Sequence, residues 1–305
     1  MRENSLATGM GLIAICLWAL LAWLTSQTGD VPPFALVAMT FGIAFLAWLF
    51  RLGWLIRKKG VIVLNLFRQS WKIWLLGIGG LFLYHAFYFA ALDNAPAIDA
   101  SLIAYLWPLL IVLFSGFLPN ERTRLWPIFG AFLGFLGAVL IILGKGETQW
   151  AEEYALGYFF AFLCAFTWSG YSILSRLSGK VTSDVIGPCC GATALLGWVC
   201  HALWEPAIGS VSSAQYAAII SLGIGPVGLA FFVWDYGIKR GDIIMLGALS
   251  YFSPLLSSAV LILTGVADFT SRIALSALLI TFGAICASQG DAFFKAIFSM
   301  KRLNK

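Results

Sequence analysis

The sequence predicts an all-α integral membrane protein with ten transmembrane helices, built as two inverted five-helix repeats with both termini cytoplasmic. Three observations carry that expectation. Of 305 residues, 61% are apolar and 11% charged, with a mean hydropathy of +0.91, whereas a soluble domain is roughly half apolar and about a quarter charged. The apolar residues run in unbroken segments of the length a bilayer-spanning helix needs, about 20 residues, not in the roughly ten-residue alternating stretches of a membrane barrel. Motifs also recur in the two halves at a common offset of 146 residues.

The spans are read at 7–25, 34–56, 72–92, 98–118, 126–143, 155–175, 184–204, 216–238, 243–264 and 272–292. The first is too long for a signal h-region and lacks a small-residue cleavage pattern after it, so it is expected to be retained; Trp18 lies near its middle. The second is apolar apart from Thr40 and Arg51 up to the basic run Arg57-Lys58-Lys59. The third holds Gly77-Ile78-Gly79 and then Leu83-Tyr84-His85-Ala86-Phe87-Tyr88; the fourth holds Tyr105-Leu106-Trp107-Pro108-Leu109-Leu110. The fifth carries Gly130, Gly134, Gly137 and Ala138, small residues spaced to let a neighbouring helix come close. The sixth holds Trp168-Ser169-Gly170-Tyr171 near its middle, and the seventh holds Cys189-Cys190. The eighth repeats Gly223-Ile224-Gly225, the ninth Tyr251-Phe252-Ser253-Pro254-Leu255-Leu256, and the tenth has Ser276, Gly283 and Ala287. The fifth- and tenth-span small residues are assigned to scaffold packing or to a weak dimer, and both readings stay open.

Lys and Arg fix the orientation. With a cytoplasmic N-terminus, one side carries Arg2, Arg51, Arg57, Lys58, Lys59, Arg68, Lys72, Arg122, Arg124, Arg176, Lys180, Lys239, Arg240, Lys295, Lys301, Arg302 and Lys305, and the other only Lys145 and Arg272. Seventeen against two is a large positive-inside bias. The net charge of +5 is therefore a topology signal with some attraction to anionic lipid, and no nucleic-acid partner is expected. The six cysteines all fall inside apolar spans with no metal-site spacing, so they are expected to be buried packing residues, without disulfides or a metal.

The 146-residue shift carries the third, fourth and fifth spans onto the eighth, ninth and tenth, and an offset of 150 pairs Trp18 with Trp168 and Trp48 with Trp198. The chain divides into a first repeat, 1–150, and a second, 151–305. Five spans per repeat is odd, so the second copy enters from the opposite side. Inverted repeats are a construction of secondary transporters, because exchanging the conformations of the halves turns an outward-open cavity into an inward-open one.

These same residues carry a resemblance. Two five-span halves, the Trp in the first span of each (Trp18, Trp168) and the aromatic-x-x-Pro-Leu-Leu in the fourth (Tyr105 to Leu110, Tyr251 to Leu256) resemble the EamA-type branch of the drug/metabolite transporter superfamily over nearly the whole chain. The aromatic load of 83–88 and 105–108 is most similar to bacterial exporters of aromatic amino acids. The resemblance implies inner-membrane export of aromatic and other apolar amino acids by alternating access.

Polar, aromatic and helix-breaking residues at membrane depth mark the cavity. Tyr84, His85 and Tyr88 share one helical face; the tyrosines also suit an interfacial belt, which does not explain the deeper His85. Pro108 frees the carbonyl of Ala104 and is expected to kink the fourth span, as Pro254 does the ninth. Tyr105 and Trp107, two apart, line one cavity only if the kink re-aims one of them. Ser250, Ser253 and Ser257 form a hydroxyl stripe, suited to a polar head group or to close packing. Trp168, mid-span beside small residues, offers a face for an aromatic ring or a cation. The expected substrate-binding set is Tyr84, His85, Tyr88, Tyr105, Trp107, Trp168, Ser250 and Ser257, with Pro108, Pro254 and Trp18 as hinge or gate. The expected partners are a small-molecule substrate of the aromatic amino acid class and the lipid bilayer, with the chain a monomer or weak homodimer and no cofactor. No acidic residue falls at a span centre, so facilitated transport is expected over a carboxylate proton relay. Export of aromatic cations is the second reading. An intramembrane enzyme is the remote one, without an H-E-x-x-H or a paired mid-membrane aspartate to support it.

Overall fold

The computed structural model describes the backbone of residues 2–119, 121, 125–144 and 148–303, and side chains through Ser288. Of the Lys and Arg residues named above, Arg122, Arg124, Lys145 and Lys305 lie outside the described residues, as do the side chains of Arg2, Lys295, Lys301 and Arg302. Among the described residues the chain is all helical, with ten helices long and apolar enough to cross a membrane: α1 (Glu3–Ser26), α2 (Pro33–Lys59), α3 (Trp71–Asn94), α4 (Ala97–Phe117), α5 (Leu125–Leu143), α6 (Glu152–Leu177), α7 (Ser183–Trp204), α8 (Ser213–Arg240), α9 (Ile243–Leu263) and α10 (Ser271–Ser288). They coincide with the ten expected spans to within about four residues at each end, since periodicity locates a helix better than its last turn.

The ends are set by local chemistry. Pro33 opens α2, where its missing N–H costs nothing. The Glu205 carboxylate, at the end of α7, accepts from the amides of Phe34 (2.7 Å) and Ala35 (3.1 Å). Gly60 ends α2 at a φ of +76°, a conformation that favours glycine. Ser212 and Gln215 form a capping box on α8, and Asp242 caps α9 through the Met245 amide.

The helices pair in a definite pattern. The most extensive contacts join α5 to α10, α3 to α6, α2 to α7 and α1 to α8. At the α5–α10 crossing, Gly130 and Gly283 bring the backbones together, so the small-residue stripes serve packing within one chain. Two buried clusters result. One surrounds Trp168 and Trp234 between α1, α4, α6 and α8; the other surrounds Tyr251 between α4, α5, α9 and α10.

The expectation of six buried cysteines holds for five. Cys16 is exposed, on a face of α1 that the bundle leaves uncovered. In lipid that face needs no polar group, and a thiol behaves there as a small hydrophobe.

Candidate functional site

Four membrane helices are interrupted, and the interruptions build the site. α1 breaks after Trp18 and resumes at Leu21; α8 passes through a π turn at Gly225–Leu229. The two meet: the Trp18 indole N–H donates to the Pro226 carbonyl at 3.1 Å. α4 breaks at Tyr105–Leu106 and α9 at Ser250–Tyr251, each just ahead of its proline. Pro108 and Pro254 are both buried.

The α4 break is held by a side chain from the other half. In an uninterrupted helix the Leu109 amide would donate to the Tyr105 carbonyl. Here the Tyr251 hydroxyl stands between them, accepting from Leu109 N at 3.1 Å and donating to Tyr105 O at 3.4 Å. Gly134 makes room for its ring, since a Cβ there would fall 2.7 Å from Tyr251 Cδ2. A Tyr251→Phe variant lets Leu109 N and Tyr105 O bond each other directly. We expect stability to change by only on the order of 1 kcal/mol, as read by thermal melting.

Around these breaks the aromatic residues form one cluster. Trp168 is 5.7 Å from Trp18, 6.4 Å from Trp107, 5.6 Å from Tyr84 and 5.4 Å from Phe231, measured between ring centroids. Tyr84 stacks parallel to Tyr88 at 6.5 Å, and His85 meets Phe41 and Phe231 edge-on. Tyr88 Oη is 3.1 Å from Ser101 Oγ. His85 Nδ1 lies 2.7 Å from the Leu81 carbonyl, which can only accept, so Nδ1 carries a proton. Trp107 and Trp168 are buried, while Trp18, Tyr84, His85, Tyr88 and Tyr105 are half-buried.

The structure thus brings together Trp18, Tyr84, His85, Tyr88, Trp107 and Trp168. Tyr105 joins them at one remove. Its ring packs with the Tyr251 cluster and its side chain lies against Ser253, so Tyr105 and Trp107 meet different partners, as residues two apart on a helix do. Ser250 is fully buried and its hydroxyl donates to its own helix at Leu246 O, 2.7 Å away. Ser257 is half-buried on α9.

Phe41, Phe231 and Trp234 of this cluster carry no local mark in the sequence, and Tyr251 of the neighbouring cluster stands out there only as part of the repeat motif. A signal existed for Phe231, Trp234 and Tyr251. The 146-residue shift carries His85 onto Phe231, Tyr88 onto Trp234 and Tyr105 onto Tyr251. α3 thus lends the cluster its polar rings and α8 its apolar ones.

A model of the EamA-like transporter family matches residues 6–143. An aromatic amino acid exporter, YddG, of Ancylobacter novellus is 47% identical over 287 residues, spanning 94% of this chain and 98% of that protein. The aromatic amino acid exporter YddG of Escherichia coli K12 is 26% identical over 269 residues, 83% of this chain and 86% of its own. A crystal structure at 46% identity superposes with a TM-score of 0.88, covering 93% of this chain and 97% of that one.

Proposed function

Because the chain belongs to the EamA-like transporter family, we propose that it exports aromatic amino acids across the bacterial cytoplasmic membrane, with both termini cytoplasmic. The substrate occupies the space walled by Tyr84, His85, Tyr88, Tyr105, Trp107 and Trp168. The observation that carries this reading is the ring cluster on Trp168: aromatic walls suit a phenyl or indole side chain through offset and edge-to-face contacts, worth roughly 0.5–1.5 kcal/mol each beyond burial. The His85 ring and the hydroxyls of Tyr84 and Tyr88 supply polar partners for an indole N–H, a phenol or the ammonium group.

Transport proceeds by alternating access of two inverted halves, 1–150 and 151–305. The helix pairing supports this reading. Under a shift of five spans, α3 against α6 becomes α8 against α1, while α2–α7 and α5–α10 map onto themselves, which is the pattern of a two-fold axis. The detail follows the same exchange. α3 and α6 share a buried contact region containing Ala91 and Ala161, and α1 and α8 meet at Gly11 and Gly237, the counterparts of those alanines under the two sequence offsets.

Flux is facilitative, down the substrate gradient. The carboxylate that reaches the ring cluster through Tyr171, Asp235, is already paired with Lys239 at 2.7 Å. The test is uptake and counterflow of labelled tryptophan, phenylalanine and a dicationic aromatic in proteoliposomes, with and without a pH gradient. Saturable tryptophan and phenylalanine flux without a gradient is expected. Flux of the dication alone would overturn the substrate assignment in favour of cation export.

A further inference from the structure

Beneath the ring cluster lies an ion pair that the transport reading leaves without a role. Lys239 Nζ sits 2.7 Å from Asp235 Oδ2, with the two side chains only 6% and 1% exposed. The Tyr171 hydroxyl donates to the other carboxylate oxygen, Oδ1, at 3.0 Å. Tyr171 in turn stacks on Trp168, centroids 5.1 Å apart and planes within 23°. The group is tied into one wall, since the neighbouring Trp234 donates its indole N–H to Ser172 at 3.2 Å. These residues fall in the last two turns or so of α6 and α8, the ends that the positive charges assign to the cytoplasm.

A buried ion pair is a poor source of stability. Desolvating the two charges costs several kcal/mol per ion, which their attraction offsets only in part, and ionisable groups inside a membrane protein usually serve the transported species. The geometry selects the species. Asp235 and Lys239 present an anion and a cation side by side, each with its partner within hydrogen-bond distance. A zwitterionic α-amino acid head presents the complementary cation and anion at a similar spacing.

Resting on the substrate class and orientation proposed above, we propose that Asp235 and Lys239 form a second substrate site at the cytoplasmic mouth, for the head of an α-amino acid. The α-ammonium replaces Lys239 on the Asp235 carboxylate, and the α-carboxylate takes Lys239. One ion pair becomes two, no charge is left unpaired, and no covalent bond changes. Tyr171 keeps the carboxylate aimed through the exchange. Its ring then meets the substrate side chain and hands it to Trp168, the wall of the chamber.

The experiment uses inside-out membrane vesicles holding the full chain, with tryptophan, tryptamine and indole-3-propionate competing against labelled phenylalanine. Tryptamine lacks the carboxylate and indole-3-propionate lacks the ammonium. For Lys239→Gln the preference for tryptophan over tryptamine is expected to fall about tenfold, because Asp235 no longer gives up a partner to take an ammonium group and tryptamine tightens. For Asp235→Asn the preference for tryptophan over indole-3-propionate is expected to fall similarly, because Lys239 is then free to take a carboxylate. Each single variant strands a charge, so the neutral double variant Asp235→Asn/Lys239→Gln is included; it should fold and lose the preference for tryptophan over both analogues. An equal weakening of all three competitors, or an unchanged preference in the double variant, would overturn the site while leaving the exporter standing. Failure of tryptophan to compete in the wild type would overturn the substrate reading, and the site with it.

Discussion

Replacing Trp168 with alanine is expected to reduce tryptophan and phenylalanine flux at least tenfold, the largest loss of any single substitution in the ring cluster. Trp168 touches six other rings: Trp18, Trp107, Tyr84, Tyr171, Phe231 and Trp234. It is 4% exposed, so the substitution removes the ring at the centre of the cluster and also opens a cavity. The cavity alone costs about 3–5 kcal/mol for a buried Trp→Ala change, enough to confuse lost binding with lost folding. Trp168→Phe separates the two, because it keeps a ring on the same helix face. We expect Trp168→Phe to retain most of the phenylalanine flux and to melt within a few degrees of wild type. Initial rates in proteoliposomes, normalised to monodisperse protein by size exclusion, provide the check. Equal flux in Trp168→Ala and wild type would remove Trp168 from the substrate path.

Most of the helical architecture was legible because a membrane span is written in composition: about 20 apolar residues leave little room for another structure. The bends were legible only where proline marks them. Pro108 and Pro254 announced the breaks in α4 and α9, whereas the α1 break at Ala19–Leu20 has no such residue and arises where Trp18 reaches the π turn of α8. That contact joins positions 208 residues apart, beyond any local signal. The candidate site divides the same way. Tyr84, His85 and Tyr88 stood out as polar rings on one face, but Phe231 and Trp234 look like ordinary apolar residues until the repeat offset sets them opposite that face. Tyr251 was visible as a repeat marker. Its insertion into the backbone of α4 is a tertiary event: it depends on Gly134, from a third helix, leaving a slot for the ring. Asp235 and Lys239 were legible as charges near a span end, while their burial depends on how α6 covers α8.

Gly130→Leu is expected to abolish the folded chain rather than its activity alone. A Cβ at Gly130 would fall against the Gly283 carbonyl oxygen and 2.7 Å from the Ala287 amide nitrogen. Those are backbone atoms, so no side-chain rotation relieves the overlap and the two helices must separate. Their separation reaches further along the same face. The Gly137 position lies against Ile280, and the Gly134 position seats the Tyr251 ring. Moving α5 therefore withdraws the support under the hydroxyl that holds α4 open. Overpacking a well-filled interior typically costs 1–3 kcal/mol and more when backbone is forced apart, and helix association in lipid has no large hydrophobic term to compensate. The expected result is aggregated or degraded protein in detergent, seen as loss of the monodisperse peak. Phe129→Leu and Phe132→Leu serve as controls, since both rings are about half exposed on the neighbouring face of α5, and both variants should melt near wild type. Gly134→Ala divides scaffold from site. It crowds the Tyr251 ring without touching α10 backbone, so flux should fall more than stability does, and a variant that loses both in proportion would show that the Tyr251 seat has no part in transport of its own.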